Sequence, residues 1–326
     1  MQAIPPKGRG MLDYQAPSLF QPHRARQAIR DAHEGKIGPL VGIYLGLSSI
    51  PVARHVASFG FDAAWVDWEH SSCNVETMTT MVHELMFMSG GRTIPFVRIP
   101  GHDHAAVGYA LDAGASIVVP QVETVEQAKH VVSAAKFGTK YGGTRSAPPF
   151  RLIPGLTDGL VDPSLSLHEN LNHQAAIIIQ VETLEGIRNL DAILTECPQI
   201  DAVWLGTLDA RVSMNLPGNM GFGGQEQEWQ DAVALYEATM QKHNKPKSGF
   251  ALGPPELRKQ MAKGKSFVIS SGDVVAYMGF SQEIAEAREL FERNQPQVAK
   301  EVEMTNGEAK KEARENGTAV TVDVKA

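Results

Sequence analysis

Cysteine is nearly missing from this 326-residue chain: there are two, Cys73 and Cys197. Two thiols cannot build the disulfide framework of a small secreted domain, and they leave no Cys-based zinc centre. No stretch reaches the roughly 18 apolar residues that a membrane helix needs, so no membrane span is expected. Basic runs are absent and the formal charge is −7, which argues against a nucleic-acid partner. Residues 1–22 are rich in Pro, Gly and Gln and lack the apolar core of a signal peptide. These absences point to a reducing, cytoplasmic setting. Phosphate-loop spacing is also missing, since Asn219-Met220-Gly221-Phe222-Gly223-Gly224 fits neither GxGxxG nor a Walker pattern. No lysine lies in the interior of a predicted strand, which disfavours a Schiff-base aldolase.

What is present is an alternation. Hydrophobic residues make up 43% of the chain, enough for a large core without covalent staples. Short apolar runs occur at residues 40–47, 63–67, 93–99, 116–122, 175–181, 202–206, 247–252 and 267–271. Most are apolar throughout, as strands buried on both faces should be. Helical patterns sit between them. Ser49 caps and Pro51 suits the first turn of one; Val125, Ala128, Val131, Val132 and Ala135 stripe a second; Ile284, Ala287, Leu290 and Phe291 stripe the last. Strand–helix alternation implies parallel pairing, and eight units favour a closed α/β barrel over an open sheet. The expected architecture is a single (β/α)8 TIM barrel over residues 25–294. It carries an N-terminal arm (1–24), a long Gly/Pro/Ser-rich loop between the fourth and fifth strands (137–173), and a charged tail (295–326) whose composition reads as disordered.

Polar residues gather where these strands end, the face that carries barrel active sites. Asp67, Glu69 and His70 follow the second run, Arg98 closes the third and Asp209 follows the sixth. One echo joins them: Gln121-Val122-Glu123-Thr124 ends the fourth run and Gln180-Val181-Glu182-Thr183 ends the fifth. A glutamate at a helix start is by itself ordinary, because the helix dipole favours it. An arginine inside an apolar strand is costly unless paired. The collection of acids, a histidine and an arginine on one rim is harder to explain structurally. Two carboxylates from adjacent strands can hold a hard cation, Mg2+ or Mn2+ with Co2+ as a further option, and such a cation polarises a ketone. Arg98 can pair with a developing oxyanion. His70 can carry protons, with an aspartate to orient it. Other features read as structural. His102-Asp103-His104 suits a helix cap better than a metal cluster, and Trp65, beside the rim, has core packing as its default and ligand stacking as a minority reading.

At these residues the sequence resembles the HpcH/HpaI aldolase family of metal-dependent pyruvate aldolases, over roughly residues 37–292. The resemblance rests on Asp67-Trp68-Glu69-His70, Val97-Arg98, Leu111-Asp112-Ala113-Gly114-Ala115, Val119-Pro120-Gln121-Val122-Glu123, Gln180-Val181-Glu182-Thr183 and Gly206-Thr207-Leu208-Asp209. It implies that Glu182 and Asp209 bind the metal, with Glu182 chosen over Glu123. Gln180 then belongs to the substrate pocket, and the backbone amides near Leu208 and Asp209 receive the substrate carboxylate. Arg98 grips the ketone or enolate oxygen, and His70, oriented by Asp67, is the acid/base. Asp112 lies near a neighbouring subunit's contribution, and a homo-hexamer with an exchanged last helix is implied. One branch of the family decarboxylates oxaloacetate and adds the enolate to an acceptor. The long arm, Trp68 and the charged tail resemble that branch, and Trp65 and Pro148 would then line the acceptor pocket. That branch uses a loop tyrosine, yet residues 152–175 contain none, so the acceptor is left open. The implied activity is a carbon–carbon lyase acting on a small 2-oxo acid, pyruvate or oxaloacetate. The alternative is a metal-assisted hydrolase or isomerase on the same barrel.

Overall fold

The computed structural model describes residues 10–291; the charged tail lies outside them. Eight parallel strands close into a barrel in the order β1 to β8. They are β1 (Leu40–Leu45), β2 (Ala63–Asp67), β3 (Ile94–Arg98), β4 (Ser116–Val119), β5 (Ile177–Val181), β6 (Ala202–Leu205), β7 (Lys247–Phe250) and β8 (Phe267–Gly272). The helices in chain order are α1 (Ala25–His33), α2 (Ile50–Val56), α3 (Val75–Met88), α4 (His104–Asp112), α5 (Val125–Ala135) and α6 (Leu167–Gln174). They continue as α7 (Leu184–Glu196), α8 (Thr207–Ser213), α9 (Gln227–Lys242), α10 (Pro255–Ala262), α11 (Asp273–Met278) and α12 (Phe280–Leu290). The chain divides into two compact units, one running to Val275 and one beginning at Ala276. The barrel lies in the first. Helix α12 belongs to the second, and its stripe residues Ile284 and Leu290 are exposed.

Strand alternation sorts the core into two layers. Leu40, Trp65, Phe96, Val118, Ile178, Trp204 and Phe267 fill the barrel interior, joined by Ile29 of α1. Their strand neighbours, such as Val66, Val97, Ile117 and Val203, pack outward against Leu85, Leu111, Val131 and Leu190 of the helices. Within a strand the same inward phase passes from apolar residues at the start to polar ones at the end. Trp65 is followed two residues on by Asp67, and Phe96 by Arg98. The register pairs Asp67 with Arg98 across β2 and β3, so the two charges arrive side by side.

Local signals start the helices. The Ser49 hydroxyl accepts from Val52 N–H with a proline in the first turn. Asp103 accepts from the Ala105 and Ala106 amides, which makes the His102-Asp103-His104 triplet a cap as expected. The described part of the N-terminal arm packs rather than dangles: Met11 and Tyr14 join the interior cluster, and Phe20 packs with Phe137 and Leu171. The 137–173 segment is more ordered than its composition suggests. It ends in α6, opened by a capping box between Ser166 and Glu169. Buried Arg145 ties the segment to α4 by an ion pair with Asp112 at 2.7 Å, so Asp112 has a role within this chain.

Candidate active site

A cavity of about 480 Å3 runs from the C-terminal ends of β5 and β6 along β7 to Lys247 and Lys265, and Tyr44, His70, Arg98, Gln180, Glu182, Leu208 and Asp209 all line it. Of the rim residues collected from sequence, His70, Arg98, Glu182 and Asp209 line this one cavity, whereas Asp67, Glu69 and Glu123 are not among its lining residues.

Arg98 and Asp67 form its rigid corner. Arg98 Nε donates to Asp67 Oδ1 at 2.8 Å and Nη2 to Oδ2 at 2.9 Å, the bidentate geometry in which an arginine recognises a carboxylate most strongly. The Asp67 side chain is fully buried and that of Arg98 is 12% exposed. Burial works against the Arg98 charge, but the hydrogen bonds and charge of Asp67 outweigh it and hold the guanidinium above its ordinary range. Burial likewise opposes ionisation of Asp67, and the contacts with Arg98 overcome it, leaving that carboxyl below its ordinary range. Asp67 takes Nε and Nη2, Glu69 Oε2 also lies 3.2 Å from Nε, and Nη1 makes no hydrogen bond among the described residues, while Arg98 lines the cavity.

Sequence reasoning missed Tyr44. Its hydroxyl donates to Asp67 Oδ2 at 2.5 Å and lies 3.5 Å from Arg98 Nη2. Burial first, then the Asp67 charge, pushes the phenol up, so Tyr44 is a fixed donor. The signal was available: in β1 the inward phase runs through Leu40, Gly42 and Tyr44, and Tyr44 pairs with Trp65 in register. Tyr44→Phe removes one hydrogen bond to a carboxylate that keeps its arginine. We expect a loss of about 1–2 kcal/mol in stability, read by thermal unfolding, and a fall in kcat of about tenfold with KM little changed, read by steady-state kinetics.

Three expectations need correction. Asp67 does not orient the His70 ring, because Arg98 and Tyr44 occupy its oxygens and it receives only the His70 backbone N–H, at 3.3 Å. The carboxylate beside the ring is Glu69, whose Oε2 lies 3.7 Å from His70 Nε2. The His70 side chain is 66% exposed, at the cavity mouth. Neither Trp65 nor Trp68 is among the residues that line the cavity. Trp65 is buried below Arg98, its ring 4.8 Å from that of Trp204; Trp68, one residue past Asp67, faces the helix layer. Pro148 lies in the long loop at the Pro149–Arg151 turn and does not line this cavity either. The aromatic wall instead comes from Trp204 and Phe250, with Phe222 from the loop before α9.

The two echoed glutamates separate cleanly. Glu123 accepts the Glu182 backbone N–H at 2.9 Å and the Thr183 hydroxyl at 2.5 Å; it braces the start of α7. Glu182 turns into the cavity. Its Oε2 accepts from Gln121 N–H and its Oε1 from Gln180 Nε2, both at 3.0 Å. Gln121 presents that N–H from a left-handed backbone, φ 50°, a conformation that non-glycine residues adopt only when their surroundings impose it. Gly206 is required behind it, since a Cβ there would stand 2.5 Å from Glu182 Cγ. Burial, then the charges of Asp209 and Glu69, push the Glu182 carboxyl up to about 7. Such mutual repulsion among acids is what a bound cation relieves. The buried Gln180 Oε1 beside it has no partner. No group of three or more His, Cys, Asp or Glu converges among the described residues.

A closed parallel barrel with polar side chains gathered on a cavity at its strand ends is the architecture of a (β/α)8 enzyme. The chain belongs to the HpcH/HpaI aldolase/citrate lyase family, whose model matches residues 40–235, and it is a carbon–carbon lyase of the class that works on 2-oxo acids. It is 27% identical over 241 residues to a 2-keto-3-deoxy-L-rhamnonate aldolase of Salmonella gallinarum, covering 73% of this chain and 84% of that one. It is 28% identical to its Klebsiella pneumoniae counterpart over the same shares. Among solved structures, macrophomate synthase superposes with a TM-score of 0.80 at 28% identity, covering 91% of this chain and 99% of that one. An HpcH/HpaI family protein from Burkholderia cenocepacia shares the fold, with a TM-score of 0.68 at 24% identity over 81% of this chain and 98% of that one.

Proposed function

We propose that the cavity binds a small 2-oxo acid, pyruvate or oxaloacetate, and works through its enolate, either in aldol and retro-aldol cleavage or in decarboxylation followed by addition to an acceptor. The observation that carries this reading is that Glu182, Asp209 and Arg98 line the same cavity. Glu182 and Asp209 would hold a divalent cation, Mg2+ by the chemistry of its donors, with Mn2+ or Co2+ as substitutes. When bound, that cation supplies Lewis-acid polarisation of the ketone. The free end of the Arg98 fork faces the oxygen on which negative charge grows, a preorganised donor that Asp67 and Tyr44 keep from rotating away. The amides of Leu208 and Asp209, in the first turn of α8, receive the substrate carboxylate. Gln180 supplies a further polar contact through its unpartnered oxygen. His70, at the mouth, moves the proton on the acceptor side, with Glu69 as the neighbouring carboxylate. The names of the aldolase and macrophomate synthase relatives support both halves of the reading, and the aromatic wall of Trp204, Phe250 and Phe222 suits an acceptor with an apolar body. We propose a cytoplasmic homo-oligomer, a hexamer, as the family resemblance implies; the exposed Ile284 and Leu290 of α12 supply apolar surface for contact between copies.

The test is proton exchange. With a divalent cation, the enzyme should exchange the methyl protons of pyruvate with deuterated solvent and release pyruvate from oxaloacetate, and a chelator should stop both. A hydrolase or isomerase that uses cation-bound water would leave the methyl group unlabelled.

The cation should also bind with a marked pH dependence. Glu182 must lose its proton to act as a ligand, and its carboxyl sits at about 7. Affinity should rise about tenfold per pH unit up to about 7 and then level off, one proton leaving per ion bound. The sign for stability is the reverse. The folded metal-free protein keeps this proton to higher pH than the unfolded chain, so its stability falls as pH rises from the ordinary carboxylate range through about 7. Calorimetric titration of Mn2+ across that range checks the first trend, and thermal unfolding with chelator present checks the second.

A further inference from the structure

A larger cavity, about 650 Å3, lies on the other face of the barrel, bounded by α1, the end of α5, α6 and the turn before β6. These segments precede strands, whereas Glu182 and Asp209 follow them. Three arginines and a lysine line it, Arg24, Arg26, Arg30 and Lys136, against one carboxylate, Asp162. Two of the cations are poorly satisfied. Lys136 is 4% exposed, yet its ammonium donates only to the Asn172 carbonyl, at 2.6 Å. That same oxygen already accepts from Arg26 Nη1 at 3.1 Å. Arg26 spends its Nε on Asp201, at 2.7 Å. The Arg30 side chain has no hydrogen bond or ion pair among the described residues. Burial, then the charge of Arg26, depresses Lys136 to about 7.

An independent observation points the same way. Gln174 lines this cavity and is 2% exposed, and neither its amide nitrogen nor its oxygen has a partner. Buried amides are almost always satisfied, so an orphaned one calls for a polar partner. A buried ammonium with two idle donors beside an unused amide and a free guanidinium is an arrangement that a multivalent anion completes.

We propose that this cavity is a binding site for a small multivalent oxyanion, a phosphate ester or a dicarboxylate, gripped by Lys136, Arg30 and Gln174 and separate from the catalytic centre. Its volume falls in the range of small-molecule sites. Gln174 stands three residues before the start of β5, which carries Gln180 and leads into Glu182 at its other end, so an occupant sits against the strand that supports the active site. This goes beyond the proposed lyase activity and does not depend on it.

The experiment uses the full chain with EDTA present, so that the catalytic carboxylates hold no cation. Inorganic phosphate and succinate are titrated by calorimetry and by thermal shift, against chloride at matched ionic strength. Expected is saturable binding of one anion per chain and a rise of about 5 °C in Tm at a hundredfold excess over Kd. Arg30→Gln, on an exposed helix position, should weaken binding at least about tenfold while leaving lyase activity without anion unchanged; Lys136→Met should abolish binding. Phosphate alone binding assigns the site to a phosphoryl group, and binding of both assigns it to paired anionic oxygens generally. No saturable effect beyond chloride overturns the proposal, as does undiminished binding by Arg30→Gln, which holds even if Lys136→Met does not fold.

Discussion

Glu182→Gln is expected to lower kcat/KM by at least about a thousandfold, roughly 4 kcal/mol of transition-state stabilisation, and to make the metal-free protein more stable at neutral pH. Both effects come from one carboxylate. Glu182 is buried with Asp209 and Glu69 raising its pKa to about 7, so above that pH the empty site carries a charge that folding opposes. The glutamine keeps an oxygen for the Gln121 N–H and removes the charge. The relief should be on the order of 2–3 kcal/mol above pH 7 and should fade toward the ordinary carboxylate range. Opposite signs for activity and stability are what distinguish a functional carboxylate from a structural one. Glu123→Gln supplies the contrast: its oxygens brace the Glu182 amide and the Thr183 hydroxyl, so it should lose stability, with activity falling only as far as α7 shifts. Chemical denaturation with chelator present, beside oxaloacetate kinetics with Mg2+, reads both.

Arg98 should behave in the other sense, with both quantities falling together. The Asp67 side chain is fully buried, and Arg98→Met would leave it ionised without its principal partner. Breaking one side of a buried pair costs about 3–5 kcal/mol, enough to bring many domains of this kind close to unfolding. Arg98→Lys keeps a charge beside Asp67 but loses the fork. One ammonium cannot satisfy both Asp67 oxygens and also present a donor to the cavity. This variant should fold, at a cost of about 1–2 kcal/mol, with kcat reduced about 100- to 1000-fold. Circular dichroism melts and steady-state kinetics on both variants decide it. Near-normal turnover by Arg98→Lys would mean that the guanidinium only staples β2 to β3.

The barrel was largely legible because its strands are buried on both faces. Eight runs, most of them apolar throughout, coincide with β1 to β8 to within a few residues at each end. The acids at the strand ends were equally visible, since charge after an apolar run needs a reason. What was lost was phase. Trp65 and Trp68 sit on either side of Asp67 in sequence, but strand alternation puts Trp65 inside the barrel and turns Trp68 toward the helices, so neither meets the cavity. The same rule, applied to β1, would have found Tyr44. Proximity in sequence misled again at Asp67 and His70, where three residues of turn bring the His70 backbone to the carboxylate and leave its ring outside. In the long segment, Gly and Pro content hid α6, although Ser166 and Glu169 stand at capping-box spacing. The pairing of Glu182 with Gln121 and Gly206 depends on contacts between strands, which no single-strand pattern encodes.

The most direct measurement is a crystal soaked with Mg2+ and oxalate, a rigid stand-in for the enolate of pyruvate. The expected density shows one ion with an oxygen of Glu182 and an oxygen of Asp209 each at about 2.0–2.1 Å, oxalate filling further positions, and Arg98 Nη1 on an oxalate oxygen. An ion held elsewhere, or by one of these carboxylates while the other turns to solvent, would contradict the shared site on which the proposed chemistry rests.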